Sequence, residues 1–186
     1  RMTVRMVGLA SEVLNKDPRT RPVMIYQLTW SAGDHIVSRK EIRRLNDLKG
    51  KKVALQQGGP HLDLLEDSLK AAGLDWSDIE VVWTKDLTAS DDSPAALFRK
   101  DPSIAAACVI SPDMIGLCSG LDKTGSGAEG TVEGAHVVNS TAQMSRSIAD
   151  VYLVRSDYFQ QHKAEVQKFT AGYFKGCEEL LEAKKV

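Results

Sequence analysis

The stretch that decides the fold is residues 47–72, which read DLKGKKVALQQGGPHLDLLEDSLKAA. A polar turn leads into a short apolar run at residues 53–55, which predicts a strand. The chain then stops at a glycine turn, and Pro60 suits the first position of a helix because the N–H that proline lacks would have no partner there. Apolar residues follow at helical spacing: Leu62, Leu65, Leu69 and Ala72. The stretch therefore predicts a strand, a turn and a helix.

The glycine turn is also a candidate binding site. Gly58 and Gly59 carry no Cβ that would keep a ligand away from the backbone. The unpaired N–H groups of the first helical turn, with the positive end of the helix dipole, favour negative or strongly accepting groups. The alternative is an ordinary strand-to-helix connection that binds nothing, and these residues alone leave both interpretations open.

Strand and helix patterns alternate on both sides of this stretch. A short strand and part of a helix are expected before residue 21, an extended segment at residues 35–38, and strands at residues 23–30, 79–83, 104–110, 135–139 and 148–155. Helices are expected at residues 93–98 and, as one long amphipathic helix, from Asp157 onward. The run at 104–110 is continuously apolar, which is typical of the middle of a parallel sheet. The pattern predicts an α/β fold with mostly parallel sheets.

Small polar residues follow three of the predicted strands: Gln57, Asp86, and the pair Ser111 and Asp113. In parallel α/β sheets, ligands bind at the carboxyl ends of the strands. We therefore expect these residues to converge with the glycine turn on one site.

A second candidate site is the corner that ends the strand at residues 23–30. Trp30 would offer a flat apolar wall there, and Tyr26 and Trp83 are further candidates for it. Ser31 and the N–H of Gly33 would offer hydrogen-bond donors. The alternative is a plain hairpin.

Composition excludes several classes of protein. The 186 residues, 42% apolar and 26% charged, predict a globular protein of one ordinary domain or two small lobes. The net charge of −1 argues against a general nucleic-acid binder, and no apolar stretch approaches the length of a membrane span. Three cysteines without paired spacing predict no disulfide framework, and the four histidines stand at no metal-ligand spacing. We predict neither a metal nor a cofactor.

The order of the pieces resembles a known family. The pieces are DLKGKKVA at 47–54, the Gly-Gly-Pro-His turn at 58–61, SDIEVVW at 77–83, SPAALF at 93–98 and DVYLVRSDYFQQH at 150–162. Together they are similar to the nitrate/sulfonate/taurine type of substrate-binding protein from ABC importers, which has the type II periplasmic-binding-protein fold. The resemblance covers roughly residues 23–175. The DLKGKKVA motif is specific for the fold but gives little information about the ligand.

This resemblance implies two α/β lobes joined by crossover strands, with a ligand held in a cleft between them. Residues 1–41 and 148–186 would form a partial first lobe, and residues 42–147 the second lobe. Trp30, Ser31 and Gly33 would face the ligand from one lobe. Gly58, Gly59 and His61 would face it from the other, with Ser111 and Asp113 nearby.

The function implied by the resemblance is the extracytoplasmic solute-binding component of an ABC importer. It would work in the periplasm, bind a small polar or anionic ligand, and present it to a membrane permease. Asp34, Asp86 and Asp113 would instead favour an amino-bearing ligand if they line the cleft, so the charge of the ligand stays open. Family members begin with a further strand-helix-strand block, so we expect the first lobe to be incomplete and the leader to be absent from this chain. Uncovered apolar surface is then expected to cause self-association.

Two other functions are alternatives. The first is an enzyme similar to thiamine-pyrimidine synthases, for which His61 is the candidate acid or base, although spacing assembles no catalytic trio. The second is a ligand-sensing regulatory domain, which would need a partner domain outside this chain.

Overall fold

The computed structural model describes residues 2–144 and 146–185, which form two compact units. Unit 2 runs from Trp30 to Ala149, and unit 1 combines the residues up to Thr29 with those from Asp150 onward. Residues 30–41, which the sequence assigned to the first lobe, lie in unit 2, because the strand that they contain pairs inside the sheet of that unit.

The predicted strands and helices are present, with one further helix and with the C-terminal helix divided in two. The strands are β1 (Met2–Thr3), β2 (Pro22–Trp30), β3 (Asp34–Ser38), β4 (Lys52–Gln56), β5 (Glu80–Thr84), β6 (Ile104–Ile110), β7 (His136–Ser140) and β8 (Ala149–Arg155). The helices are α1 (Val4–Leu14), α2 (His61–Ala71), α3 (Pro94–Lys100), α4 (Ser111–Cys118), α5 (Ser156–Gln161) and α6 (Lys163–Ala183). Short 3₁₀ turns at Leu45–Leu48 and Trp76–Asp78 precede β4 and β5. None of the helices in residues 2–144 and 146–185 has the length and apolarity needed to cross a lipid bilayer.

Unit 2 is built on a five-stranded sheet with the order β5-β4-β6-β3-β7. β4 runs parallel to both β5 and β6, whereas β3 is antiparallel to both β6 and β7. The α/β fold is confirmed, but the sheet is mixed where the sequence predicted a mostly parallel one. Only β4, β5 and β6 follow the pattern of a strand, a helix and a parallel strand.

Helices cover both faces of this sheet because successive residues of each strand point to opposite sides. In β4, Val53 and Leu55 pack with α2 in one buried cluster. Ala54 packs with α3 and α4 in the other, around the fully buried Phe98. α2 and α3 thus leave β4 and β5 toward opposite faces, which lets β5 and β6 lie on either side of β4.

The sequence explains where α3 and α4 begin. The Ser93 hydroxyl accepts a hydrogen bond from Ala96 N–H at 3.4 Å and caps α3, and Pro94 occupies its first turn. Pro112 likewise stands in the first turn of α4, with Asp113 beside it. The sequence indicates only small polar residues after the strand at Ser111 and Asp113, and the structure shows that they begin a helix.

Unit 1 contains the three-stranded sheet β1-β8-β2 and the helices α1, α5 and α6. Its centre is an aromatic cluster in which Tyr26 contacts four other rings, of Tyr152, Phe169, Tyr173 and Phe174. Tyr26 is 7% exposed, so it is a core residue of unit 1 and not the ligand-facing wall that the sequence suggested. The predicted single C-terminal helix is divided at His162, whose φ of −125° and ψ of 33° end α5.

Candidate functional site

The carboxyl ends of β4 and β6 form a topological switch point in unit 2. These two strands are parallel neighbours, but the helices that follow them lie on opposite faces, α2 in one buried cluster and α4 in the other. In open α/β sheets, ligands bind in the crevice that such divergence leaves at the strand ends. This edge of unit 2 is therefore the candidate site.

The turn between β4 and α2 leaves open backbone at this edge. Gln57 N–H donates to Thr84 O at 2.9 Å and ties the turn to β5. Gly58, which precedes Gly59, has a φ of +64°, and no heavy atom lies within 4 Å of the position that its Cβ would take. Pro60 is the N-cap residue and makes no side-chain hydrogen bond, so α2 starts without a side-chain cap. The turn has the geometry of an acceptor-binding helix start.

A buried carboxylate joins the corner after β2 to the start of α2. Asp34 Oδ1 accepts a hydrogen bond of 2.7 Å from His61 Nε2, and Asp34 Oδ2 accepts one from the Ser31 hydroxyl. Asp34 is 6% exposed and His61 is fully buried. Burial alone would raise the pKa of Asp34, but the hydrogen bonds from His61 and Ser31 outweigh it and hold that pKa below its usual range. Asp34 is therefore ionised, and the proton of this bond lies on His61 Nε2.

This arrangement is not a catalytic triad. A nucleophilic serine needs the imidazole as its neighbour, whereas here the Ser31 hydroxyl contacts the carboxylate of Asp34. His61 Nδ1 is buried and has no hydrogen-bond partner among the described residues. The hydrogen bonds from His61 and Ser31 stabilise the carboxylate of Asp34 inside unit 2.

A second buried chain of hydrogen bonds starts from His35. Ser111 Oγ donates to Gly33 O at 3.1 Å and lies 2.9 Å from His35 Nε2. The other ring nitrogen, Nδ1, lies 2.9 Å from Ser140 Oγ, which accepts from Ala142 N–H at 3.1 Å. All these contacts are satisfied when His35 Nε2 carries the proton and donates to Ser111, and Nδ1 accepts a hydrogen bond from the Ser140 hydroxyl. Burial, together with the nearby His61, outweighs the attraction of Asp34 and lowers the pKa of His35, in agreement with a neutral ring.

The remaining predicted site residues have different surroundings. Trp30 ends β2 next to Ser31 and is 43% exposed. Asp86 is exposed in the loop after β5, where its N–H donates to Asp92 O at 3.1 Å. The structure thus brings Ser31, Gly33, Asp34, His61 and Ser111 together through hydrogen bonds, and it leaves Asp86 outside those chains.

Asp113 lines a shallow depression between the loop after β5 and the helices α3 and α4. The cavity has a volume of about 490 Å³, and Ser90, Ser93 and Arg99 also line it. Arg99 Nε donates to Gly130 O at 3.2 Å, which anchors the guanidinium beside the cavity. Asp113 Oδ2 is buried without a hydrogen-bond partner among the described residues. This depression combines Arg99 with two carboxylates, Asp91 and Asp113, and Asp91 accepts a hydrogen bond of 2.7 Å from Lys100 Nζ.

Sequence reasoning missed three polar residues of this region. It treated His35 as part of an extended segment, and it did not single out Thr141 or Arg99. Thr141 Oγ1 accepts from Asp34 N–H at 3.1 Å, and Thr141 N–H donates to Asp34 O at 2.9 Å. The available signal was the pair Asp34 and His35 at the head of a strand that continues with Ile36 and Val37 and is buried throughout.

Comparisons with known proteins agree with this geometry. A model of the family described as NMT1/THI5 like matches residues 13–185. The chain belongs to the NMT1/THI5-like family. Comparison with curated proteins finds no match.

Solved structures with the same fold include two sulfonate-binding proteins and one enzyme. The periplasmic aliphatic sulphonate binding protein SsuA from Escherichia coli has a TM-score of 0.64 and 20% identity, over 91% of this chain and 52% of that one. The alkanesulfonate-binding protein SsuA from Xanthomonas axonopodis pv. citri, bound to MOPS, has a TM-score of 0.63 and 17% identity, over 91% and 52%. The desulfurization enzyme DSZB has a TM-score of 0.57 and 18% identity, over 90% and 58%.

These likenesses define the fold of this NMT1/THI5-like chain. The chain spans about half the length of the SsuA structures that it matches. The predicted likeness in fold to substrate-binding proteins of ABC importers is confirmed. No group of three or more His, Cys, Asp or Glu side chains in the described part of the chain is arranged to hold a metal ion.

Proposed function

We propose that this chain belongs to the extracytoplasmic solute-binding component of an ABC importer. It binds a small polar or anionic solute, of the nitrate, sulfonate or taurine kind, and presents it to a membrane permease. The two units correspond to the two lobes of such a receptor. The shared fold with the periplasmic sulphonate-binding protein of Escherichia coli and the alkanesulfonate-binding protein of Xanthomonas axonopodis, together with the family match, supports this proposal.

One observation carries the proposal: the uncapped start of α2 opens at the switch point of the sheet. Gly58 exposes the backbone there, and the divergence of α2 and α4 creates the crevice. An oxyanion or another strong acceptor fits this site because backbone N–H groups and the helix dipole both favour it.

The charges at this edge also support a polar or anionic ligand. Asp34 does not oppose an anion, because His61 and Ser31 already bind its carboxylate. Asp86 is exposed in its loop. Asp113 retains an oxygen without a partner among the described residues and shares its depression with Arg99 and with Asp91, which Lys100 binds. The three carboxylates that left the charge of the ligand open are thus bonded to protein groups, exposed in a loop or accompanied by a positive group.

Ligand binding is tested by titrating the protein with nitrate, ethanesulfonate, taurine and phosphate, using thermal shift and calorimetry. A solute at 100 times its Kd stabilises the native protein by about 2.7 kcal/mol, so a true ligand raises the unfolding temperature clearly. Gly58→Ala weakens binding, because alanine is strained at a φ of +64° and its methyl group enters the open turn.

Gly73→Ala is the matched control. Gly73 has a φ of +69°, nothing lies within 4 Å of its Cβ position, and it follows the other end of α2. Both variants therefore lose similar stability, and only Gly58→Ala loses affinity. The absence of any shift with all four solutes, or equal affinity losses in the two variants, argues against solute binding at this turn.

An enzyme is the second candidate function, because DSZB shares the fold and the family description includes THI5. The surroundings of His61 weigh against it as acid or base, since the ring is fully buried and its Nε2 is bonded to Asp34. Turnover of a solute that binds, followed by mass spectrometry, distinguishes the two functions.

A further inference from the structure

The first two residues of β3 hold the starts of two helices on opposite faces of the sheet. Asp34 shares its face with Ile36, in the buried cluster of α2, and its carboxylate bonds His61, the first residue of α2. His35 shares its face with Val37, in the buried cluster of α4, and its Nε2 contacts Ser111, the first residue of α4.

β3 is well suited to this task because its own position is fixed. It pairs with β6 on one side and β7 on the other, with Asp34 opposite Ile110 and His35 opposite Ser140. Thr141 exchanges hydrogen bonds with the backbone of Asp34, and every residue of β3 is buried. A strand anchored on both edges gives α2 and α4 a common rigid reference.

These polar residues are closed to a solute. Asp34 is 6% exposed, His35 is 2% exposed and His61 is fully buried. Both oxygens of Asp34 and both ring nitrogens of His35 already have protein partners. Asp34 and His35 therefore have neither the exposure nor the free hydrogen-bonding capacity that contact with a ligand requires, and His61, whose Nδ1 has no partner among the described residues, lacks the exposure.

We propose that Asp34 and His35 are the positioning residues of the ligand site, which set the starts of α2 and α4 relative to each other and make no contact with the solute. The proposal rests on the proposed function, in which the ligand binds between these helix starts. Ser31 and His61, which the sequence suggested as ligand contacts, belong to the same support. Asp34 accordingly does not select the charge of the ligand.

Conservative substitutions separate positioning from general stability. Asp34→Asn keeps an oxygen that accepts from His61, whereas Asp34→Ala does not. The amide of a glutamine reaches the place of Nε2, so His35→Gln keeps the contact to Ser111. The amide of an asparagine reaches the place of Nδ1, so His35→Asn keeps only the contact to Ser140.

Amide hydrogen exchange of the free protein is the first readout, because it needs no ligand. Asp34→Ala is expected to speed exchange about tenfold at residues 57–64 and to leave residues 109–116 unchanged. His35→Asn is expected to do the reverse, while Asp34→Asn and His35→Gln stay close to the parent. An even rise across unit 2, or equal effects of His35→Asn and His35→Gln, overturns the proposal. Asp122→Asn, at an exposed position, is the control.

Affinity for ethanesulfonate, taurine and ethylammonium is the second readout. Asp34→Ala and His35→Asn are expected to weaken binding of every solute that binds by the same factor, about tenfold. A switch in preference from ethanesulfonate to ethylammonium, or the reverse, in Asp34→Asn would show that Asp34 contacts the ligand and would overturn the proposal. If the parent protein binds none of the three, the proposed function fails, and the exchange pattern still decides whether Asp34 and His35 position the helix starts.

Discussion

Replacement of Gly59 by alanine tests the packing of the turn between β4 and α2. A Cβ at this position would lie 2.9 Å from Gln56 Cβ and 3.0 Å from Gln56 Cδ, closer than such atoms approach in folded proteins. Gln56 cannot simply move away, because its Nε2 donates to Lys85 O at 3.1 Å and so links the ends of β4 and β5. Overpacking costs about 1–3 kcal/mol, and the displaced hydrogen bond about 1 kcal/mol. We expect Gly59→Ala to destabilise unit 2 by roughly 2 kcal/mol.

The distribution of aromatic residues provides the assay. All three tryptophans, Trp30, Trp76 and Trp83, lie in unit 2, whereas the four tyrosines lie in unit 1. Tryptophan fluorescence excited at a wavelength that tyrosine does not absorb therefore follows the unfolding of unit 2 alone. With a urea m-value of about 2 kcal/mol/M, a loss of 2 kcal/mol lowers the midpoint by about 1 M.

A double-mutant cycle with Gln56→Ala identifies the cause. Gln56→Ala removes the Cδ and Oε1 atoms that the new methyl group would meet but keeps Gln56 Cβ, so it relieves only part of the steric clash. The double variant is expected to cost about 1 kcal/mol less than the sum of the single variants. Gly172→Ala is the control, since nothing lies within 4 Å of its Cβ position in α6, and it should stabilise unit 1 by about 0.5–1 kcal/mol. An unchanged midpoint for Gly59→Ala, or strict additivity, refutes the reasoning.

Three further expectations concern acid sensitivity, the core and association. Because the pKa of His35 is lowered in the folded protein, the unfolded chain binds a proton at His35 more readily, and the stability of unit 2 falls as the pH drops below about 6.5. The similarly lowered pKa of Asp34 extends this loss of stability below about pH 4. Urea midpoints from pH 8 to 3 measure both effects, and His35→Gln lacks the first. Phe98→Ala empties a fully buried site beneath the Arg39 guanidinium, 4.5 Å from the ring centroid, and should cost about 3–5 kcal/mol by tryptophan fluorescence, while Ile115→Ala, at a 56% exposed position of the same unit, should cost far less. Light scattering should detect self-association, which should weaken when two of the exposed apolar residues of α1 and α6 are made polar, and a monodisperse monomer would contradict this expectation. These exposed residues include Val4, Leu9, Val13, Phe169, Leu180 and Leu181.

The strand, turn and helix around Gly58 could be predicted because local signals agree there. The apolar run at residues 53–55, the glycines and Pro60 all favour the same structure, and β4 and α2 confirm it. The strand at residues 104–110 was also predicted with its observed bounds, since a continuous apolar run of that length suits a strand buried on both faces.

Long-range pairing could not be predicted in the same way. The direction of β3 in the sheet depends on its partners β6 and β7, which lie far away in the chain. The start of α4 was missed because Ser111 and Pro112 occur equally in turns and in the first turn of a helix, and packing against β3 decides between them.

The candidate site shows the same division between local and distant information. The family resemblance placed Ser31 and His61 on opposite sides of one cleft, but only the fold shows that both bind Asp34 inside one unit. His35 gave no signal by itself, because its partners Ser111 and Ser140 follow it by 76 and 105 residues.

The placement of β3 has a consequence for the order in which unit 2 assembles. β4, β5 and β6 follow one another along the chain, with one helix in each connection. β3 is synthesised before all of them, yet both of its neighbours in the sheet come later in the chain. During synthesis β3 therefore has no strand partner until β6 emerges, and its contacts to Ser140 and Thr141 also require the end of β7.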